Sequence, residues 1–216
     1  MLVKKTVSSC LGLSARISIK KHVVGYGKKI SLTELLGLVK DKSYVSLHIK
    51  IVSNPSISID LMLDKMREIY HSIGIGVVVR STEQLNLPSN FLDIDVGNCA
   101  VITTNEQRML FKNRENVSKK ELVIYFIRST IPPTNGCATH PILKPGAVVT
   151  RGASQWTLAH EVGHVLGLSH ADTDRNCRLE RLMTGCGTAR ITRSPPLLSS
   201  KEVKKILSNR NVKECK

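Results

Sequence analysis

The stretch His160-Glu161-Val162-Gly163-His164-Val165-Leu166-Gly167-Leu168-Ser169-His170 decides how this chain is read. In a helix, His160 and His164 stand four residues apart, so both imidazoles leave one face. Two such nitrogens can grip one zinc ion at about 2.0–2.1 Å each. Glu161 follows the first histidine, which sets its carboxylate beside a metal rather than on it. That is the place of a general base for a zinc-activated water. Gly167 lets the helix end and the chain reverse, because glycine enters positive φ freely. The reversal brings His170 back as a third ligand. A bare H-E-x-x-H arises by chance on surface helices. Here the longer spacing H-E-x-x-H-x-x-G-x-x-H is complete, and Leu182-Met183-Thr184 follows it.

Outward from this stretch, the apolar pattern predicts the frame that holds it. Val45, Leu47, Ile49 and Ile51 alternate with Ser46, His48 and Lys50, the mark of a half-buried strand with His48 on its exposed polar face. Asn54-Pro55-Ser56 breaks it. Ile59, Met62, Leu63, Met66, Ile69 and Tyr70 share one face of an amphipathic helix. Ile75–Val79 reads as a second strand. Thr104-Asn105-Glu106-Gln107 opens a short helix with a capping box. The unbroken apolar run Leu122–Ile127 suits a central strand buried on both faces. Two short strands follow, Gly136–Pro141 and Gly146–Thr150, and Ser154 is placed to cap the helix carrying the histidines. Ser199-Ser200-Lys201-Glu202 opens a last helix, with Val203, Ile206 and Leu207 as its inner face. Ile30–Val39 is expected to form a further short helix.

The quoted stretch, Met183, and the segments Gly136–Pro141 and Gly146–Thr150 resemble the metzincin clan of zinc endopeptidases, its matrixin-like group most closely. The resemblance covers residues 43–216 and implies a catalytic domain there, with residues 1–42 as a basic N-terminal extension. It implies an α+β fold: a twisted mixed sheet with helices above a cleft, and an irregular lower part with a Met-turn and a C-terminal helix. Met183 would floor the zinc histidines. Gly136, Cys137, Ala138, Thr139 and His140 would form the edge strand along which a substrate lies. The chain departs from matrixins at Ala171-Asp172, where serine is usual, and at Thr184, where many have tyrosine.

Composition sets wider bounds. The 216 residues are 41% hydrophobic and 23% charged, enough for one domain with a real core; aromatics are only 4%, so aliphatics must fill it. No run approaches the ~20 apolar residues of a membrane span. Lys and Arg number 32 against 17 Asp and Glu, a net charge of +15. The expected partners are a protein or peptide substrate and an acidic inhibitor or cognate protein. The basic residues are scattered rather than striped with aromatics, so no specific nucleic-acid partner is expected. No secretory h-region follows Met1-Leu2-Val3-Lys4-Lys5, yet a compact basic protease suggests secretion or delivery outside the producing cell, as an effector or toxin.

The cysteines bear on compartment. Cys177 and Cys186 flank Met183 where regular structure is sparsest. A disulfide there closes a loop of about ten residues, contributes roughly 2–3 kcal/mol and holds Met183 in place; it implies an oxidising site of action. Cys99 and Cys137 are the second candidate pair. The competing possibility for Cys99, and for Cys10, is a thiol that caps the zinc. Pro195-Pro196 are candidates for a specificity-pocket wall. The expected function is a zinc-dependent endopeptidase, with Glu161 as base and then as proton donor to the leaving amine. A zinc amidase acting on a cell-wall peptide and a zinc-containing binding protein are the alternatives.

Overall fold

The computed structural model describes residues 41–99, 102–172 and 176–215; the predicted helix Ile30–Val39 and Cys10 lie outside the described residues. The strands are β1 (Ser43–Ile51), β2 (Ile75–Gln84), β3 (Asp93–Asp95), β4 (Leu122–Ile127), β5 (Ser129–Ile131), β6 (Gly136–Cys137), β7 (Gly146–Thr150) and β8 (Lys213–Glu214). The helices are α1 (Ile59–His71), α2 (Asn105–Leu110), α3 (Thr157–Val165) and α4 (Ser200–Leu207). The main sheet runs β2-β1-β4-β7-β6. Its first four strands are parallel, and β6 lies antiparallel on β7 as the edge. β8 pairs with the start of β1, and β3 pairs with β5 apart from the main sheet. The sheet is therefore mixed but mostly parallel.

Two layers of core follow from the period-2 alternation of β4. Leu122, Ile124 and Phe126 join Val45, Leu47 and Ile49 against α1 and α3, whose Met62, Met66, Leu158 and Val162 are fully buried. Val123, Tyr125 and Ile127 face the other way, onto Ile94, Val96, Leu110 and Phe111. Tyr70 of α1 donates its hydroxyl to the Ala159 carbonyl at 3.1 Å, tying α1 to the turn of α3 that carries His160. Ser58, Thr104 and Ser199 accept amide hydrogens at the starts of α1, α2 and α4, and the latter two complete capping boxes with Gln107 and Glu202.

Several expectations need correction. β1 is covered on both faces, not one: Ser46, His48 and Lys50 are 0, 7 and 1% exposed. Neighbouring strands flank β1, and long charged side chains arch over its polar face. Lys50 pairs with Glu83, His48 meets Ser81 Oγ at 2.8 Å and Glu121 at 3.2 Å, and Lys213 holds Glu121 at 2.8 Å. Alternation in sequence distinguishes two faces but does not say that the polar one is wet. β2 continues to Gln84, and β6 stops at Cys137 because the Thr139 carbonyl is taken by Gln107 Nε2 at 3.1 Å and Pro141 has no N–H to pair. Ser154 is not the cap of α3; its hydroxyl accepts from the Trp156 amide at 3.3 Å in the preceding turn. In α4 Ile206 is buried but Leu207 is 46% exposed, since so short a helix presents few positions to the core.

Candidate metal centre

α3 carries His160, Glu161 and His164 and packs against β7. Gly167 takes φ +94° and ends the helix; the Leu168 amide returns to the Gly163 carbonyl at 2.9 Å. That reversal points His170 back at the helix. The three imidazoles meet: His164 Nε2 stands 3.0 Å from His160 Nε2 and 3.1 Å from His170 Nε2.

Hydrogen bonding decides which nitrogens are bare. His160 Nδ1 lies 2.7 Å from the Leu182 carbonyl, and His164 Nδ1 lies 2.9 Å from the Leu168 carbonyl. A carbonyl only accepts, so each Nδ1 must carry the proton and each Nε2 must present a lone pair. The lone pairs of His160 and His164, 3.0 Å apart, repel unless a cation sits between them. Nitrogens about 2.05 Å from a tetrahedral zinc stand about 3.3 Å apart, so the cluster is compatible with zinc binding. Burial also favours neutral imidazoles: it pushes His160 down to about 3, helped by His164, and lowers His164 as well.

Glu161 is 6% exposed, and burial raises its carboxyl to about 8. Its carboxylate lies against Gly136 of β6, where a Cβ would stand 2.7 Å from Glu161 Oε1. Any larger residue at 136 would drive the acid out of place. Met183 is fully buried against α3, where a Cβ on Gly163 would meet its Sδ at 2.7 Å. The Met183 carbonyl accepts from the Ala171 amide at 2.7 Å.

Asp172 knits the ligand loop to the Met183 segment, a role that sequence reasoning missed. It accepts from the Thr184 hydroxyl at 2.9 Å and the Gly185 amide at 2.6 Å. Burial works to raise its carboxyl, but hydrogen bonds from the Arg178 and Gly185 amides and the Thr184 hydroxyl, with His170 nearby, bring it below the usual range. The one available signal was its place two residues after the last histidine.

A cleft of about 700 Å³ opens in front of these groups. His160, Glu161, His164 and His170 line it together with Cys99, Gly136, Ala138 and Thr139. Cys137 is buried behind the wall, and His140 and the Pro195-Pro196 pair do not line the cleft. His140 turns its Nδ1 to the Pro141 carbonyl at 3.0 Å. Cys99 is no zinc-capping thiol: it is bonded to Cys137, tying the cleft rim to the edge strand. Cys177 is bonded to Cys186 on the other side of the cleft. Thr157, Thr184, Gly185 and Thr188 complete that lower wall, unannounced by any periodicity.

With this geometry in place, similarity to known structures defines a class: the fold is of the zinc-metallopeptidase type. Metalloproteinase-II from Bacteroides fragilis aligns with a TM-score of 0.53 at 16% identity, over 77% of this chain and 53% of that one, so the chain spans about half the length of that protein. Archaemetzincin from Methanopyrus kandleri aligns with a TM-score of 0.52 at 16% identity, over 81% of this chain and 98% of that one. No protein-family model and no curated protein sequence matches the chain. Among the described residues, no helix is long and apolar enough to cross a membrane.

Proposed function

We propose that this protein is a metzincin-like zinc endopeptidase, acting in an oxidising compartment outside the cell that makes it. One observation carries the reading: three imidazoles turn their Nε2 atoms to one point, two of them with the proton held on Nδ1, beside a buried carboxylate that lies against the edge strand. His160, His164 and His170 would hold the ion. Zinc in such a set supplies Lewis acidity that polarises a carbonyl and acidifies water, and its charge favours the carboxylate form of Glu161.

The protein's own groups do the rest. Glu161 takes a proton from the attacking water and returns it to the leaving amine. Its carboxylate is held between the backbone of Gly136 and the α3 helix that carries it, so little reorganisation is needed. The substrate lies extended along β6, the edge strand of the main sheet, and along the cleft wall that continues through Ala138 and Thr139. The two disulfides support the oxidising site of action, since such bonds persist where thiols are not kept reduced.

The test is Glu161→Gln on zinc-loaded protein, offered a denatured protein mixture and, separately, cell-wall fragments. The variant should keep stoichiometric zinc and lose hydrolysis by on the order of a thousandfold. A variant that cleaves at near the parent rate removes Glu161 from the mechanism. Cleavage of cell-wall peptides in place of protein shifts the reading to an amidase.

A further inference from the structure

The upper wall of the cleft runs through Thr134, Asn135, Gly136, Ala138 and Thr139. Two residues on, the chain turns over Pro141–Lys144, closed by the Lys144 amide on the Pro141 carbonyl at 3.0 Å. At the tip Ile142 is 89% exposed and Leu143 is 44% exposed. Leu143 also holds φ +62°, a left-handed conformation that disfavours branched side chains and suits glycine. Folding alone would place a glycine or a polar residue here. Instead an aliphatic pair is kept in water on a strained backbone, at the end of the cleft wall.

We propose that Ile142 and Leu143 form an apolar exosite that grips an extended polypeptide substrate beyond the scissile bond. The inference rests on the peptidase reading above. Continuity argues for this occupant. Gly136 lies against Glu161 and so marks the reacting bond, and the tip is six residues further along the same segment. An extended chain covers that path in at most about 20 Å, so a substrate laid along the wall reaches the tip about four to six residues past the bond. Among the described residues, the cleft lining carries no ionisable side chain besides Glu161 and the histidines. An aliphatic or aromatic substrate residue over the tip adds affinity that the small, neutral walls do not. The favoured substrate is therefore an unfolded or extended polypeptide, not a dipeptide.

The experiment starts from the best-cleaved site in a denatured-protein digest. A peptide of about four residues around that site is compared with versions lengthened by about eight residues on either side, each bearing a leucine at the reach of the tip. One lengthened version should show a kcat/KM about tenfold higher, the effect of covering one aliphatic side chain. Ile142→Asp and Leu143→Gly should each erase most of that advantage and leave the short peptide's rate unchanged. Leu143→Gly relieves the backbone, so its melting temperature should hold or rise, which separates a lost contact from a damaged fold. Binding is read independently of hydrolysis, by fluorescence anisotropy of the long peptide on zinc-loaded Glu161→Gln protein; adding Ile142→Asp should weaken it about tenfold. Equal rates for short and long peptides, unchanged anisotropy, or no binding of the long peptide overturns the exosite. So does a tip substitution that abolishes self-association or lipid-vesicle binding while peptide affinity holds. A long peptide that binds through the tip yet is never cut overturns the peptidase reading and leaves the exosite standing.

Discussion

Gly163→Ala probes the packing under the metal centre. In an exposed helix interior this change gains about 1 kcal/mol from propensity alone. Here the new Cβ would fall 2.7 Å from Met183 Sδ, 3.3 Å from its Cε and 3.5 Å from Leu168 Cδ1. Met183 is fully buried, so its side chain can yield only by shifting within the core. Overpacking of this kind costs about 1–3 kcal/mol, so the net expectation is a loss of about 1 kcal/mol. The displacement should also reach the ligands. The neighbouring Leu182 carbonyl fixes the His160 ring, and the Met183 carbonyl fixes Ala171, next to His170. Disturbing such supporting bonds lowers metal affinity by about tenfold or more. Denaturant unfolding of zinc-free protein reads the first effect, and zinc titration against a competing chelator reads the second. Met183→Ala alone should cost about 2–5 kcal/mol by leaving a cavity. In the double variant the alanine at 163 enters that space and the clash disappears, so the combined loss should fall short of the sum of the two single losses by the overpacking cost, about 1–3 kcal/mol. A Gly163→Ala protein more stable than its parent, with unchanged zinc affinity and an additive cycle, would refute the packing argument.

Further outcomes follow from other parts of the molecule. For Glu121, burial works to raise the carboxyl, but hydrogen bonds from Lys213, His48 and the Ser118 amide outweigh it and bring it to about 2, below its ordinary 4.5. The contribution is therefore complete above about pH 5 and disappears as pH falls from there toward about 2, and Glu121→Gln should cost about 2–3 kcal/mol at pH 7 and little at pH 2. A pH-independent loss in denaturant melts would show that the ion pair is not its source. Replacing Cys177 and Cys186 by serine should cost about 2–3 kcal/mol, since the bridge closes a short loop of the unfolded chain; thiol counting by mass spectrometry before any reductant should find both cysteines unreactive in the parent. Asp172→Ala should lower zinc affinity by about tenfold while the circular dichroism spectrum stays that of the parent; unchanged affinity in a zinc titration would reduce Asp172 to a loop contact.

The parts legible in the sequence are those ruled by local geometry. Four residues make about one helical turn, so the spacing of His160 and His164 alone puts two imidazoles on one face, and Gly167 announces the reversal toward His170. The stripe Met62, Met66, Ile69 declares a buried helix face by its period, and the unbroken run Leu122–Ile127 declares a doubly covered strand by having none. Contacts between distant residues impose no such pattern. Nothing near His160 in the chain says that the Leu182 carbonyl will fix its tautomer, nor that Gly136 must lack a side chain so that Glu161 can lie against it. His48 and Lys50 read as exposed because their shield comes from Ser81, Glu83 and Glu121, more than thirty residues away. Six cysteines allow fifteen complete pairings, and only the packed chain brings Cys99 within 5.7 Å of Cys137, Cα to Cα. Side chains that depend on the close approach of remote segments are decided by the tertiary structure, because the free energy that selects them exists only once both segments are in place.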